Sequence, residues 1–277
     1  MPMNLVKVGN FDIYSVSDGY MVFQRDVFFP ELTVEAWSQY PSYSSLEFEM
    51  NIGSFVITGA GKTILVDTGL GKLDHHIEQP VQQTLLPELK NLKISPDDID
   101  IVFLTHLHLD HVGTNMTHES GGWKQTFPNA TYMVAKSDWK MFNRMADKPA
   151  FQYIKEQVQP LLSNGNLDLF EGETSLTDGV TTIPTPGHTP GHTSLLLESE
   201  GETAVIIGDA AHIPPQVEQS SWSPSPDRDK TLSAKTRSSL MDFIEKENAL
   251  IASGHFPKPG FGKIIKTDSG RSYKPLT

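Results

Sequence analysis

Cysteine is missing from all 277 residues. Disulfides, thiolate nucleophiles, iron–sulfur clusters and cysteine-bound zinc are therefore excluded, and any metal must be held by histidine, aspartate or glutamate. Basic charge is also scarce: 22 Lys and Arg against 34 Asp and Glu leave a net charge of −12. Such a surface repels phosphate backbones, so no nucleic-acid partner is expected. Apolar runs are short, none reaching the length of a bilayer-crossing helix, and no membrane partner is expected. Residues 1–7 hold no signal-type apolar core before the polar Gly9-Asn10, which makes the cytoplasm the expected location. What remains, 38% hydrophobic and 20% charged, is the composition of a folded globular chain, and its length suits one layered domain over residues 1–277.

Period and turn residues sketch the elements. Residues 8–23 read as two short strands around a turn at Ser17-Asp18-Gly19. Residues 24–50 carry Phe28, Phe29, Trp37, Tyr40, Tyr43 and Phe48 among prolines and serines. They form either a surface loop with aromatics tucked into the core or a loop that lines a substrate pocket. Residues 52–57 and 63–66 flank Thr58-Gly59-Ala60-Gly61-Lys62 as a β-hairpin, followed by a glycine-rich turn at 67–71. A helix is expected within 79–92, interrupted or begun at Pro87, and a capped helical turn at Ser95-Pro96-Asp97-Asp98. Further expectations are a strand at 99–104, a helix over 149–162, strands around 180–183, 193–198 and 204–207, a helix over 233–247 and a strand at 250–251. Residues 220–229 look like a long exposed loop.

The strongest chemical signal is Thr105-His106-Leu107-His108-Leu109-Asp110-His111, four potential metal ligands directly after an apolar strand. His106 and His108, two apart, point the same way in an extended segment and cannot share a helix face, which excludes a helical zincin pair. Asp110 and His111 follow a turn and can address a second point, so the cluster suits two adjacent ions. Surface histidines do clump by chance, but rarely at the end of a buried strand. Three other strand ends offer further ligands: Thr185-Pro186-Gly187-His188-Thr189-Pro190-Gly191-His192, Gly208-Asp209 and Gly254-His255. Spacing alone does not choose between His188 and His192. His75, His76 and His118 lack that setting and read as solvated surface residues, as does the basic run after residue 257.

Taken in order, these motifs resemble the signature of the metallo-β-lactamase-fold hydrolases, over residues 52–255. The resemblance implies an α+β fold of four layers, αββα, with two mixed sheets between helices and the metals at one sheet edge. It implies two ions, one held by His106, His108 and His188 and the other by Asp110, His111 and His255, with Asp209 bridging. It also implies that Asp67 orients a ligand histidine from behind. With imidazole and carboxylate ligands, zinc is the expected metal, with Mn2+, Co2+ or Fe2+ as substitutes. Two ions sharing a hydroxide suit hydrolysis of small-molecule esters, lactones or phosphotriesters. Asp110 is the expected acid/base as well as a ligand. A redox role is disfavoured, because the diiron relatives carry glutamate where His108 stands.

Among subgroups, Asp18-Gly19, Phe256-Pro257 and Gly208-Asp209-Ala210-Ala211-His212 look most like the lactonase and methyl-parathion-hydrolase-like group. A glyoxalase-II-like thioesterase and a non-catalytic metal-binding member of the fold are the alternatives. Many acyl-homoserine lactonases carry tyrosine where His212 stands; here His212 is expected to line the pocket and either orient substrate or hydrogen-bond to the metal ligands from behind, or else to be a partly buried structural histidine. The resemblance also implies a homodimer.

Overall fold

The structure, a computed structural model, describes residues 4–72, 82–119, 122–268 and 270–276. One seven-stranded sheet is ordered β1 (Leu5–Val8), β2 (Phe11–Gln24), β3 (Glu47–Gly59), β4 (Lys62–Val66), β5 (Ile101–Phe103), β8 (Thr131–Ala135), β9 (Leu167–Phe170). β6 (Met116–Glu119) and β7 (Gly122–Gln125) form a separate hairpin. The second seven-stranded sheet runs in chain order through β10 (Ser175–Thr177), β11 (Val180–Pro184), β12 (Thr193–Ser199), β13 (Glu202–Ile206), β14 (Leu250–Ala252), β15 (Phe261–Thr267) and β16 (Gly270–Pro275). Both sheets are mixed: β4, β5, β8 and β9 pair in parallel, as do β13 and β14, and the other pairs are antiparallel.

Alternation along the strands makes four layers. Phe55, Ile57, Ile64, Val66 and Phe103 of the first sheet face Leu195, Leu197, Ile206, Ala252 and Phe261 of the second, forming the inter-sheet core. Their neighbours Val56, Leu65 and Val102 point outward onto Leu85, Leu89, Phe142, Ile154 and Leu161 of the covering helices. Val205 and Ile251 likewise point outward, onto Leu240, Met241 and Ile244 of the helix Lys230–Lys246. A period of two thus gives each strand two apolar faces, one per layer boundary. The fold is the expected αββα arrangement.

Several local expectations change. Residues 8–23 are not two strands about Gly19: the hairpin turns at Gly9-Asn10, and β2 is one long strand with a register break between Ser17 and Tyr20. The extra residues there are held because Ser17 Oγ accepts from Gly19 N and bonds Asn51 Oδ1. The helix near 79–92 is Leu85–Asn91, with Pro87 in its first turn, where an amide has no intrahelical acceptor; residues 79–81, like His75 and His76, lie outside the described residues. The stretch 149–162 is three short pieces, Pro149–Phe151, Tyr153–Gln157 and Gln159–Ser163, broken at Val158 just before Pro160. Residues 220–229 are not an exposed loop: Trp222, Ser223 and Asp227 are buried. His118 is exposed, as expected.

Candidate metal centre and substrate pocket

Five strand ends converge at one edge of the sandwich. β4 runs into Asp67, β5 into 105–111, β11 into 185–192, β13 into Gly208-Asp209 and β14 into His255. Two backbone bonds stitch the sheets together there, Thr193 N to Thr105 O at 2.9 Å and Gly53 N to Gly254 O at 3.0 Å. The second requires two glycines, since a Cβ on Gly53 would lie 2.6 Å from Gly254 O.

The histidine segment leaves β5 and reaches His108 at the N-cap of the short helix Leu109–Val112, which carries Asp110 and His111 and sets the His111 ring 4.1 Å from that of His106. Each ring is set by what its outward nitrogen meets. Asp67, with φ of 61°, takes the left-handed conformation that aspartate tolerates better than most residues. It accepts from Thr105 N, Thr105 Oγ1 and His111 Nδ1, each at 2.8 Å. The Thr105 hydroxyl, donating to Asp67, accepts in turn from His106 Nδ1 at 3.1 Å. His188 Nδ1 donates to Asp227 at 2.9 Å, and His255 Nδ1 to Asn51 O at 2.8 Å. Four rings are thereby left with Nε2 turned inward, the arrangement that frees a lone pair for a metal.

Those inward atoms form two groups. His106 Nε2 and His188 Nε2 each lie 2.9 Å from His108 Nδ1, and Asp209 Oδ2 is 3.1 Å from His188 Nε2. On the other side, Asp209 Oδ1 lies 3.1 Å from His255 Nε2 and 3.3 Å from His111 Nε2, while Asp110 Oδ2 is 3.6 Å from His255 Nε2. Within each group the donor atoms lie within 4.8 Å of one another, and the two oxygens of Asp209 face one group each. The structure brings together all seven residues expected from the sequence.

Electrostatics polarises the cluster. Burial drives His106 and His108 well below the usual imidazole range. His111, despite burial, is held well above it by Asp209, Asp67 and Asp110. Asp209, despite burial, is held well below the usual carboxylate range by His255, His111 and His106. His111 Nε2, His255 Nε2 and Asp209 Oδ1 are buried without a hydrogen-bond partner. Orphaned buried polar atoms are costly, and a divalent ion on each side of Asp209 would satisfy them. The donor set fits two such ions.

His192 has a different task from His188. Its Nε2 accepts from Asp209 N at 2.8 Å, and its Nδ1 faces Thr185 O and Oγ1. Burial takes its pKa down to about 3, so it is a neutral brace for the Asp209 backbone. Gly208 permits this approach: its φ is 51°, and a Cβ there would sit 2.6 Å from His192 Nε2.

Sequence reasoning missed His192 as a brace, and also Asp138, Asp227 and Arg237. Asp138 accepts from Leu107 N, Thr189 Oγ1 and Gly191 N, tying the two histidine loops together. Arg237 carried a readable signal, since it falls on the buried helical stripe with Leu240 and Ile244. Asp227, in a serine- and proline-rich stretch, carried none.

A cavity of about 310 Å³ opens onto the cluster. Met21, Phe23, Phe28 and Met50 line it together with Leu109, Phe151, Tyr153 and Pro226. Segment 24–50 therefore serves both expected ends: Phe28 and Met50 line the cavity, while Phe29, Trp37 and Phe48 pack with Ile213 and Trp222 beneath it. His212 also lines it, with Phe28 edge-on at 5.5 Å, its ring stacked 5.5 Å from His255, and its Nε2 3.2 Å from Asp209 Oδ2. A larger cavity of about 850 Å³, bounded by Lys72, His118, Trp123 and Glu156, contains none of these donors.

Comparison with known proteins agrees with this geometry. Residues 51–255 match the family model described as the metallo-beta-lactamase superfamily. An N-acyl homoserine lactonase of Bacillus cereus is 29% identical over 208 residues, which is 69% of this chain and 76% of that protein. Among solved structures, AidC, a dizinc quorum-quenching lactonase in complex with a product, superposes with a TM-score of 0.82 at 23% identity, covering 99% of this chain and 97% of that one. The hydrolase AbOPH of the beta lactamase superfamily gives 0.85 at 24% identity, over 99% and 97% of the two chains.

Proposed function

The chain belongs to the metallo-β-lactamase superfamily, and from that premise we propose that it is a two-zinc hydrolase that opens lactones bearing an apolar substituent. His106, His108 and His188 would hold one ion and Asp110, His111 and His255 the other, with Asp209 offering an oxygen to each group. The observation that carries the substrate class is the wall of the 310 Å³ cavity: among the described residues lining it, none is Lys or Arg. Away from the ions, such a wall has no Lys or Arg to receive a substrate carboxylate and is built to bury an acyl or aryl group instead. That disfavours a glutathione thioester, and it supports a neutral lactone, with aryl esters and neutral phosphotriesters as secondary substrates.

Bound divalent ions supply a hydroxide nucleophile at neutral pH and electrophilic help to the carbonyl. The chain does the rest. Met21, Phe23 and Phe28 exclude water from the substituent and orient the ring. His212, which lines the cavity with Nε2 3.2 Å from Asp209 Oδ2, donates to the substrate carbonyl oxygen, standing where many acyl-homoserine lactonases carry tyrosine. Asp110, the most exposed carboxylate of the cluster, takes the proton of the attacking water and delivers it to the ring oxygen as the acyl C–O bond breaks. The product is the open hydroxy acid. His212→Phe keeps the ring shape and its packing on Phe28; turnover should fall while both ions stay bound, and unchanged turnover would remove His212 from this role.

A cytoplasmic location and a homodimer belong to the same reading; the absence of cysteine supports the first. No helix among the described residues is long and apolar enough to cross a membrane. The test of function is a panel of lactones of rising acyl length, an aryl ester, a neutral phosphotriester and S-lactoylglutathione. Highest kcat/KM should fall on a lactone with an apolar chain. A preference for the glutathione thioester would overturn the assignment.

A further inference from the structure

We propose that Asp227 and Arg237 are positioning residues that set the affinity of the ion site built on His106, His108 and His188, acting on it through His188; this rests on the ligand assignment proposed above. Arg237 is fully buried in the middle of the helix Lys230–Lys246, an expensive place for a guanidinium. It spends every N–H it has. Nε donates to Ala210 O, Nη1 to Ser220 O and Trp222 O, and Nη2 to Ser233 Oγ and Asp227 Oδ2. Asp227 then holds one partner per oxygen: Arg237 at 3.0 Å on Oδ2 and His188 Nδ1 at 2.9 Å on Oδ1.

The backbone around this pair is equally tied. Arg228 N donates to His188 O at 3.0 Å, and Asp229 N to Gly187 O at 2.9 Å. A buried ion pair is a poor source of stability compared with apolar side chains of the same volume. What this pair does provide is direction. The planar fork fixes the carboxylate, the carboxylate fixes the Nδ1–H tautomer of His188, and Nε2 is left aimed at the ion. Because Nε also grips Ala210 O, next to Asp209, the same guanidinium registers two ligands of one site against each other. The site of Asp110, His111 and His255 uses other anchors, Asp67 and Asn51 O.

The experiment reads each ion separately. The holoprotein is loaded with cadmium, and its two sites, differing in imidazole count, are followed as separate cadmium NMR resonances while a chelator competes. Asp227→Asn should weaken the His188-containing site by about 10- to 100-fold and leave the other site unmoved. Arg237→Lys keeps the charge but loses the fork, and should weaken the same site by less. The double variant should lose less than the sum of the two single losses, since both share the path through His188. Circular dichroism confirms that each variant is folded, and if the arginine variant is not, Asp227→Asn still decides. Equal weakening of both sites, or no change at the His188 site, overturns the proposal. A wild-type chain that takes up no cadmium overturns the ligand assignment itself, which is a separate failure.

Discussion

His188 and His192 stand four residues apart in one turn, equally buried, and do opposite work. His188 offers Nδ1 to a carboxylate and turns Nε2 inward among the other donors. His192 turns Nδ1 to Thr185 and spends Nε2 on the amide of Asp209. What separates a proposed ligand from a brace here is which nitrogen the neighbours have already claimed. Residue type and spacing are shared, so the distinction lives in the packing of β11, β12 and the loop after β13.

The comparison breaks most visibly by truncating each ring. His188→Ala should bind one ion fewer per chain and lose lactone turnover, whereas His192→Ala should retain both ions; metal analysis of the two purified variants is the check. If His192→Ala were the variant that lost an ion, the roles would be reversed. Asp110→Asn comes next. It keeps a ligand oxygen but cannot carry the proton, so turnover of aliphatic lactones should fall about 10²- to 10⁴-fold. p-Nitrophenyl esters, whose leaving group needs no proton, should fall much less. Equal losses with both ions bound would leave Asp110 as a ligand only.

A smaller effect is expected on folding. His192→Ala leaves the buried Asp209 amide without its acceptor, which should cost about 1–3 kcal/mol of stability, read from urea unfolding of the ion-loaded protein. No change would mean that His192 is dispensable as a brace. The smallest signal is in protons. In the ion-free chain burial alone would lower His188, but Asp209 and Asp227 outweigh it and raise its pKa to about 9. His192, at about 3, is already neutral. An ion needs the neutral ring, so uptake at neutral pH must expel the proton from His188 and none from His192. Calorimetry in buffers of different ionisation heat should therefore show proton release at neutral pH, to which His111 and His255, also raised by nearby carboxylates, contribute, and the variant His188→Ala should release less. Release that is absent at neutral pH would contradict this ordering.

Much of the candidate site could be read from the sequence because its proposed ligands end strands. The run from His106 to His111 packs four of them behind one apolar strand, and Asp209 and His255 each follow a short run of apolar residues. The hairpin of β3 and β4 was legible for the same reason: alternation and glycine are local signals. The illegible parts depend on contacts distant in sequence. Asp227 acquires its meaning only from His188, 39 residues earlier, and from Arg237 on a helix. Residues 220–229 look polar and exposed in sequence, yet Trp222 joins the aromatics of segment 24–50 and its carbonyl serves Arg237. The break at Val158 was obscured because Ile154, Val158 and Leu161 keep helical spacing through it.

The central claim is that this edge of the sandwich holds two ions and that lactone opening depends on them. One preparation suffices to test it: zinc counted by atomic spectroscopy and ring opening followed by acid release, before chelation, after it and after zinc is returned. The account predicts two zinc ions per chain, loss of turnover with their removal, and recovery with their return. Full lactone turnover in the metal-free protein would contradict it.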